Sequence, residues 1–292
     1  MELELKRGGR TARITTLGAE LVSYRDETGR EYIWSGDPAY WPGRNPLLFP
    51  IVGGLKDGKI RVKGKEVSME RHGFARRREF TVTGQGEDWA ELTLEQDEAT
   101  LALYPWDFKL TVRQQLTDGG FATSVTVTNT GKEPLPYCVG AHTGFRCPLD
   151  EGEAFTDYEI RFPQKETCKT LVPDGEGMDW NRTLPCLEDT DTLPLEYHWF
   201  DDLDTLIFHG LKSQSVRLVS RKSGHGVQVD FPGYPILAFW TMPHKQAPYL
   251  CIEPWHGASA IAGEGPELAD KAFCITLAPG ESRTLGYQVT TL

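Results

Sequence analysis

Apolar and polar residues alternate with a period of two through most of this 292-residue chain. Glycine, proline or aspartate interrupts the alternation about every ten residues, and no long amphipathic helical pattern occurs. Alternation of this kind places one face of a strand against a core and the other face towards solvent. Short strands separated by turns form packed antiparallel sheets. The sequence therefore predicts an all-β fold, a large antiparallel β-sandwich.

Four predicted hairpins support the antiparallel arrangement, because residues with turn chemistry separate two alternating runs in each. In the first, residues 59–69, the turn falls at Gly64. The other hairpins pair residues 79–84 with 89–95, 108–116 with 121–129, and 215–220 with 226–231. Further strands are predicted at 13–24, 272–277 and 283–290.

Residues 164–200 form the least regular part of the sequence and are rich in acids and turn residues. We predict a long loop excursion there and not a domain boundary. No low-complexity linker and no internal repeat divides the chain. The expected organisation is one domain, residues 1–292.

The charge balance opposes several classes of partner. The chain has 42 acids and 31 bases, a formal net charge of −11, whereas nucleic acids and anionic membranes attract positive surfaces. The basic cluster 76–78 is interpreted as a solvated turn. No apolar run approaches the ~20 residues of a membrane helix. We expect neither a nucleic acid nor a membrane partner.

The cysteines and the N-terminal residues predict a cytoplasmic protein. The six cysteines are scattered, without CxxC or CxxH spacing, and no basic-then-apolar leader precedes the first strand. We therefore expect reduced cysteines that act as small buried hydrophobes, and no structural zinc site.

Glu253 is a lone carboxylate in the apolar and aromatic run 249–257. Leu250 and Ile252 alternate with their neighbours as in a buried strand, and Pro254 then ends the ladder pairing. Burying a carboxylate is costly, and desolvation raises its pKa towards the range of a general base. Two interpretations follow: a half-exposed strand-end glutamate bonded to a backbone amide, or a general base.

Two histidines lie in sequence contexts that leave the imidazole accessible. His72 follows a predicted strand and precedes Gly73, which permits close approach of the backbone. His142 has small residues on both sides in the segment 139–145. Each has an ordinary alternative, a histidine whose hydrogen bonds serve the fold. The other histidines are assigned to the surface by default: His198, His209, His225, His244 and His256.

Metal binding is an alternative use of these residues. Two histidines and a carboxylate can form a facial triad, here His72, His142 and Glu253. The short HxD and HExxH spacings of such sites are absent from the sequence. We predict direct proton transfer and no metal.

Tryptophans near turns and strand ends offer flat faces on which the C–H faces of a sugar can stack. Core filling is the ordinary interpretation of such residues, and it is adopted for most of them. Trp255 is the exception, because it lies two residues from Glu253.

Four segments, taken in order, resemble the aldose 1-epimerase (galactose mutarotase-like) family, and within it the LacX-like branch. They are residues 31–34 with Trp41, residues 44–53, residues 71–76 (Arg-His-Gly-Phe-Ala-Arg), and residues 140–142 with 248–255. Residues 104–108 and 136–137 support the match. The resemblance covers essentially the whole chain.

The resemblance implies a fold, a ligand and a set of roles. The fold is the galactose mutarotase-like supersandwich with a sugar cleft across one concave sheet, and no cofactor. The partner is a small-molecule sugar, bound by a monomer or homodimer. Glu253 matches the family's catalytic base, His142 its acid, and His72 the histidine that helps to hold the sugar. Further cleft residues by position are Arg44, Arg76 and Trp255.

Three departures from the family pattern bear on sugar preference more than on reaction type. The second histidine is followed by Thr143-Gly144, where Pro-Ala or Pro-Ser is common. An arginine is common where Gly54 stands, so a guanidinium that orients the substrate is either absent or supplied by Arg44 or Arg76. The acid that binds sugar hydroxyls has no clear match. Its candidates are Asp201, Asp202 and Asp204, of which Asp202 is taken as the substrate-binding residue.

The expected reaction is interconversion of the α and β anomers of a free aldohexose. Ionised Glu253 takes the C1 hydroxyl proton while protonated His142 donates a proton to the ring oxygen. The ring opens, the C1–C2 bond rotates, and closure reverses both transfers. One acid and one base suffice, and a bell-shaped pH profile is expected.

Three alternatives remain open at the level of sequence. One is a mutarotase for a phosphorylated sugar, which needs a cationic cleft rim such as Arg44, Arg71, Arg76 and Arg77. Another is a non-catalytic sugar-binding or regulatory protein on the same fold. The last is a glycoside hydrolase or lyase; hydrolysis needs two opposed carboxylates, and only Glu253 has a suitable context.

Overall fold

The structure, a computed structural model, describes residues 1–174 and 177–292. The first strands are β1 (Glu2–Arg7), β2 (Arg10–Thr15), β3 (Leu21–Arg25), β4 (Leu47–Leu48), β5 (Lys59–Val62), β6 (Lys65–Ser68), β7 (Thr81–Gln85), β8 (Trp89–Glu95), β9 (Phe108–Leu116), β10 (Gly120–Asn129) and β11 (Leu135–Tyr137). The later strands are β12 (Val139–Ala141), β13 (Thr143–Arg146), β14 (Tyr158–Asp174), β15 (Gly177–Pro194), β16 (Thr205–His209), β17 (Ser215–Ser220), β18 (Gly226–Asp230), β19 (Ile236–Trp240), β20 (Tyr249–His256), β21 (Ile275–Leu277) and β22 (Ser282–Thr291). The two α-helices are α1 (Glu98–Leu103) and α2 (Tyr197–Leu203).

The four predicted hairpins are confirmed as β5–β6, β7–β8, β9–β10 and β17–β18. In the first, Val62 pairs with Lys65 across a two-residue loop. Lys63 and Gly64 have φ of 51° and 76°. Two successive positive φ values define the type I′ turn, whose twist matches that of the flanking strands. Local turn chemistry thus sets the register of this hairpin.

One large antiparallel sheet of 15 strands dominates the fold. Its order is β4-β12-β20-β19-β16-β14-β17-β18-β22-β10-β9-β8-β7, with β13 also paired to β20 and β15 to β14. Smaller sheets are β1-β2-β3, β11-β21 and β5-β6. The strand β20, which carries Glu253, therefore lies inside the sheet, between β19 on one side and β12 and β13 on the other.

A single buried cluster joins the three-stranded sheet to the large one. Leu5 and Ile14 of the small sheet belong to it, together with Val112 of β9 and Leu250 of β20. The residues of β9 alternate between buried and half-buried along its whole length, as the period of two predicts. The fold is all-β, a large antiparallel β-sandwich, and this prediction is confirmed.

The prediction of an irregular excursion over residues 164–200 is wrong. Most of this segment belongs to β14 and β15, which pair with each other as a long hairpin. Their register shifts at four places, between Arg161 and Glu166 and again further along. Each shift interrupts the alternation of faces, so a paired ladder loses its period-two signature in the sequence.

Two predicted strands are shorter than expected. The run 13–24 is divided into β2 and β3 by a turn in which Gly18 and Ala19 have φ of 71° and 50°. The run 272–277 becomes a strand only from Ile275. Neither described α-helix exceeds seven residues, and none is long and apolar enough to cross a membrane.

Candidate active site

Strand β20 presents two chemically different faces. Leu250 and Ile252 point into the main core, as the alternation predicts. Cys251, Glu253 and Trp255 lie on the opposite face and are also buried. Glu253 is only 1% exposed, so the interpretation of a half-exposed strand-end glutamate is wrong. A carboxylate this deep in a sheet requires partners or a chemical task.

The register of the sheet brings His142 to Glu253. Gly140 pairs with Trp255 and Thr143 with Ile252, so the same register sets His142 opposite Glu253. Directly opposed residues share a face of the sheet. Nε2 of His142 lies 3.3 Å from Oε2 of Glu253. We call these two residues the His142–Glu253 pair.

The same carboxylate oxygen has a second partner. The indole Nε1 of Trp255, two residues along β20, donates a hydrogen bond of 3.2 Å to Oε2 of Glu253. The other oxygen, Oε1, accepts no hydrogen bond from the part of the chain that the structure describes. Oε1 is therefore the oxygen available to a ligand.

Glycines flank His142 on its own face of the sheet. A Cβ on Gly140 would stand 2.9 Å from Cδ1 of Trp255, and a Cβ on Gly144 would stand 3.0 Å from Cζ3 of Trp41. Real Cβ contacts are rarely this short, so both glycines provide space for an indole. The Trp41 ring stacks on His142 with 4.8 Å between centroids. Glycine stands at position 144, in place of the common family residue, because a side chain there would collide with the Trp41 ring.

The other departure, Thr143, anchors the strand on the opposite face. Its hydroxyl lies 2.8 Å from Oδ1 of Asn45 and 3.1 Å from the hydroxyl of Tyr287. Nδ2 of Asn45 also donates to the Tyr287 hydroxyl at 3.0 Å. All three side chains are buried. A satisfied buried network of this kind fixes backbone position, here next to His142.

His72 meets His142 edge to face, with 5.4 Å between the ring centroids. Its backbone has φ of 69°, and Gly73 follows with 72°. The amide of Gly53 donates to Nδ1 of His72 at 3.1 Å. Because Nδ1 accepts, the proton of the neutral ring is on Nε2. His72 can therefore offer an N–H donor to a ligand oxygen.

Burial controls the protonation of these groups. Desolvation raises the pKa of Glu253 well above its ordinary value, although the hydrogen bond from Trp255 opposes the shift. Desolvation also lowers the pKa of His142 to about 3 and that of His72 well below its usual range. Both shifts favour a proton on Glu253 over a proton on His142. The sequence-based expectation, ionised Glu253 beside protonated His142, is the other arrangement of that same proton.

The predicted arginines have different surroundings. Nε of Arg44 donates to the carbonyl of Ser35 at 2.8 Å, which directs this side chain to a neighbouring loop. Arg76 is half-buried, and its charge lowers the pKa of both His72 and His142. Arg76 therefore lies by the histidines, whereas no described contact links the side chain of Arg44 to them.

Among the three candidate acids, Asp204 is the one that acts on the pair. Its charge contributes to the raised pKa of Glu253. Asp202, the residue predicted from the sequence, is exposed on α2 and has no described contact with the site. Asp201 accepts a hydrogen bond from the amide of His244 at 2.6 Å. A role for Asp202 in binding stays a prediction.

Two aromatic rings that line the site were not predicted from the sequence. Trp41 and Trp240 were interpreted as core residues, yet both are partly exposed and both contact His142. Trp240 meets the imidazole edge-on at 5.6 Å. The sequence placed Trp240 near a strand end, but the pairing of that strand with β20 exists only in the folded chain.

One group of side chains has metal-ligating atoms close together. The ligand atoms of His142, Cys251 and Glu253 lie within 4.8 Å of one another. Nitrogen, sulfur and carboxylate oxygen are ligands that zinc accepts. Cys251 thus takes the place that the sequence-based triad gave to His72, and the prediction of no metal stays a prediction.

A cavity of about 760 Å³ lies elsewhere in the molecule. Its lining comes from residues 55–66, 177–179 and 260–266, and includes neither member of the pair.

Fold and site together define a mutarotase-like protein, and comparison with known proteins supports this class. The sequence profile of the family described as aldose 1-epimerase matches residues 1–290. The chain belongs to the aldose 1-epimerase family, as the resemblance predicted.

Particular relatives are close over their full length. Protein LacX of Lactococcus lactis subsp. lactis, in its plasmid form, is 36% identical over 300 residues, with 100% of both chains covered. A galactose mutarotase-like protein from Lactobacillus casei has a TM-score of 0.93 at 28% identity, covering 100% of both chains. A galactose mutarotase related enzyme from Lactobacillus acidophilus has a TM-score of 0.93 at 29% identity, covering 100% of this chain and 97% of its own.

Proposed function

We propose that the protein is an aldose 1-epimerase that interconverts the α and β anomers of an aldohexose with a free anomeric hydroxyl. The observation that carries the proposal is the buried His142–Glu253 pair, with 3.3 Å between Nε2 and Oε2. Anomer exchange needs one group that accepts a proton and one that donates it. Two such groups in direct contact meet this requirement.

The proposed mechanism begins with the shared proton on His142. Glu253 removes the proton of the C1 hydroxyl, and His142 donates its proton to the ring oxygen as the bond between C1 and that oxygen breaks. C1 becomes a carbonyl carbon, the C1–C2 bond rotates, and ring closure on the other face returns both protons. Each positioned transfer contributes ~10²–10⁴-fold in rate.

Because Glu253 is buried, the mechanism requires its proton to move to His142 before the reaction begins. Because desolvation favours the proton on Glu253, the proton has to cross to His142 when the sugar binds. The N–H of Trp255 stabilises the carboxylate that this transfer creates. Hydrogen bonds from sugar hydroxyls to Oε1 of Glu253 act in the same direction.

The neighbouring residues fit a sugar. His72 offers Nε2–H to a ring or hydroxyl oxygen, since Nδ1 is occupied by the Gly53 amide. Trp41 and Trp240 offer partly exposed rings beside His142. Asp204, or Asp202 as the sequence suggested, is the candidate acceptor of hydroxyl protons.

The test is the rate at which freshly dissolved α-glucose and α-galactose reach anomeric equilibrium, followed by polarimetry. We expect wild-type protein to increase this rate and Glu253→Gln to lose ~10²-fold or more of the increase. Glu166→Gln is the matched control, because Glu166 is equally buried but bonds to Ser213. If the protein bound aldoses yet accelerated none of them, a non-catalytic sugar-binding role would replace the proposal.

A further inference from the structure

We propose that the sugar carries an anionic group away from its anomeric carbon, and that Arg71 and Arg76 bind this group. The inference rests on the proposed function and names the class of its substrate. Both guanidinium groups belong to the segment 71–76, which carries His72.

Arg71 is a cation without a counter-charge. It directly precedes His72 and is exposed, and it makes no ion pair with any residue that the structure describes. An unpaired guanidinium next to His72 is available to bind an anion.

The Arg71 guanidinium lies beside Gly54. A Cβ on Gly54 would stand 3.6 Å from Nη2 of Arg71, 3.8 Å from Cζ and 4.0 Å from Nε. These are ordinary van der Waals distances, so the guanidinium lies directly beside Gly54. Arg71, and not Arg44, thus places a guanidinium at the position where the family pattern has an arginine side chain.

Arg76 lies against the same backbone segment. Its Nη2 donates to the carbonyl of Arg71 at 2.9 Å, and its Nε is buried without a partner. Glu70 stands 3.9 Å from Arg76 but 2.9 Å from Arg77, so its charge is directed mainly to Arg77. Arg76 therefore retains hydrogen-bonding capacity beside an unneutralised Arg71.

The two cations act on the proton-transfer groups. Both contribute to the lowered pKa of His72 and of His142, and Arg71 also acts on Glu253. A positive rim is notable in a chain of net charge −11. Paired guanidinium groups recognise phosphate and carboxylate through charge-assisted hydrogen bonds.

The chemistry of the reaction restricts where the anion is attached. A phosphate on the anomeric oxygen would leave no C1 hydroxyl proton to remove. The anion must therefore be on another carbon, and the terminal carbon leaves the ring and the anomeric centre unchanged. A hexose 6-phosphate and a hexuronic acid both meet this condition.

The experiment compares anomer exchange by saturation-transfer NMR for glucose, galactose, their 6-phosphates and glucuronic acid. Each catalysed rate is measured above the spontaneous rate in the same phosphate-free buffer of low ionic strength. We expect at least one anionic sugar to exceed its neutral counterpart about 10-fold in kcat/KM, and KCl at about 0.5 M to reduce that ratio. The glucuronic acid arm tells carboxylate from phosphate.

The variants Arg71→Gln and Arg76→Gln should lower the ratio of anionic to neutral kcat/KM towards one, and Arg71→Lys should keep part of it. Arg78→Gln is the matched control and should leave the ratio unchanged, because Arg78 is paired with Asp97 and not with Glu70. Thermal melting of each variant shows whether it is folded. Binding to Glu253→Gln, measured by calorimetry with glucose and glucose 6-phosphate, gives the same preference without turnover.

Equal kcat/KM for charged and neutral sugars would overturn the inference and leave the proposed function intact. A preference that survived both arginine substitutions would also overturn it. Acceleration of no aldose, charged or neutral, would remove both the inference and the function on which it rests.

Discussion

Oε2 of Glu253 accepts a hydrogen bond from Nε1 of Trp255 at 3.2 Å and lies 3.3 Å from Nε2 of His142. The same carboxylate oxygen thus contacts the indole N–H of Trp255, which does not titrate, and the imidazole of His142, which does. The indole N–H favours the carboxylate without competing for its proton, which the acid–base mechanism needs.

Replacing Trp255 with phenylalanine should lower kcat/KM for anomer exchange about 10-fold, because the carboxylate loses a hydrogen bond at a buried charge. The pKa of Glu253 should rise further, so the pH–rate profile should move to higher pH. Trp106→Phe is the control, since Trp106 is buried against Tyr104. An unchanged profile for Trp255→Phe would mean that the indole serves packing alone.

Glu253→Gln should stabilise the protein while removing activity. The pKa of Glu253 is raised from 4.5, so above about pH 4.5 the folded state holds a proton that the unfolded chain releases. Wild-type stability therefore falls as pH rises through this range, and the glutamine variant avoids that loss. Its Tm advantage should grow as pH rises above about 4.5, by about 2–4 °C for each kcal/mol.

Glu166→Gln should behave in the opposite way. Glu166 accepts hydrogen bonds from the Ser213 amide and hydroxyl and from the Lys212 amide. Loss of this acceptor should lower Tm throughout this pH range. A Glu253→Gln protein that melted below wild type at pH 8 would contradict the account of its burial.

Activity should persist into acid. His142 is neutral in the folded protein down to about pH 3, because burial lowers its pKa from 6.5 to about 3. A second proton enters the His142–Glu253 pair only near that value, so the acid limb of the catalysed rate should lie well below pH 6.5. The unfolded chain protonates this histidine near 6.5, so its stabilising contribution is lost as pH falls towards 3. Circular dichroism at each pH separates loss of catalysis from unfolding, and an acid limb near pH 6.5 in folded protein would refute the assignment.

His72→Asn should preserve the fold and impair the site. Asparagine tolerates the left-handed backbone at φ of 69°, so Tm should change by only about 2 °C. The N–H donor at Nε2 is lost, and kcat/KM should fall about 10- to 100-fold. His72→Val should instead lower Tm clearly, because a β-branched residue is strained there. Full activity in His72→Asn would remove the residue from the binding site.

Strand pairings within hairpins could be predicted from the chemistry of their turns. Pairings between strands distant in sequence could not. Lys63-Gly64 identifies its own hairpin, since two adjacent residues supply the required positive φ. Nothing local selects β20 as the partner of both β13 and β19. The long hairpin β14–β15 escaped prediction because its register shifts break the alternation.

The residues of the site likewise include some that the sequence identifies and others that only the folded chain brings together. Glu253, His142 and Trp255 could be identified because each has an unusual immediate context, and the structure brings them together. Trp41 could not, since its position depends on the missing side chain of Gly144 in a distant strand. Arg71 was considered only as a rim charge, because its relation to Gly54 exists only in the folded chain.

On the face of β12 and β13 that carries His142, the residues on either side of it are Gly140 and Gly144, which have no side chains. The indoles of Trp255 and Trp41 occupy the space that side chains there would fill. The direction of the His142 ring is thus determined by side chains that are missing from its own strand. The activity of variants at Gly140 and Gly144 would therefore measure how precisely the His142 imidazole must be oriented for proton transfer. A single added methyl group at Gly140 or Gly144 displaces an indole ring. The displaced indole then changes the orientation of the His142 imidazole, although neither His142 nor Glu253 has been substituted.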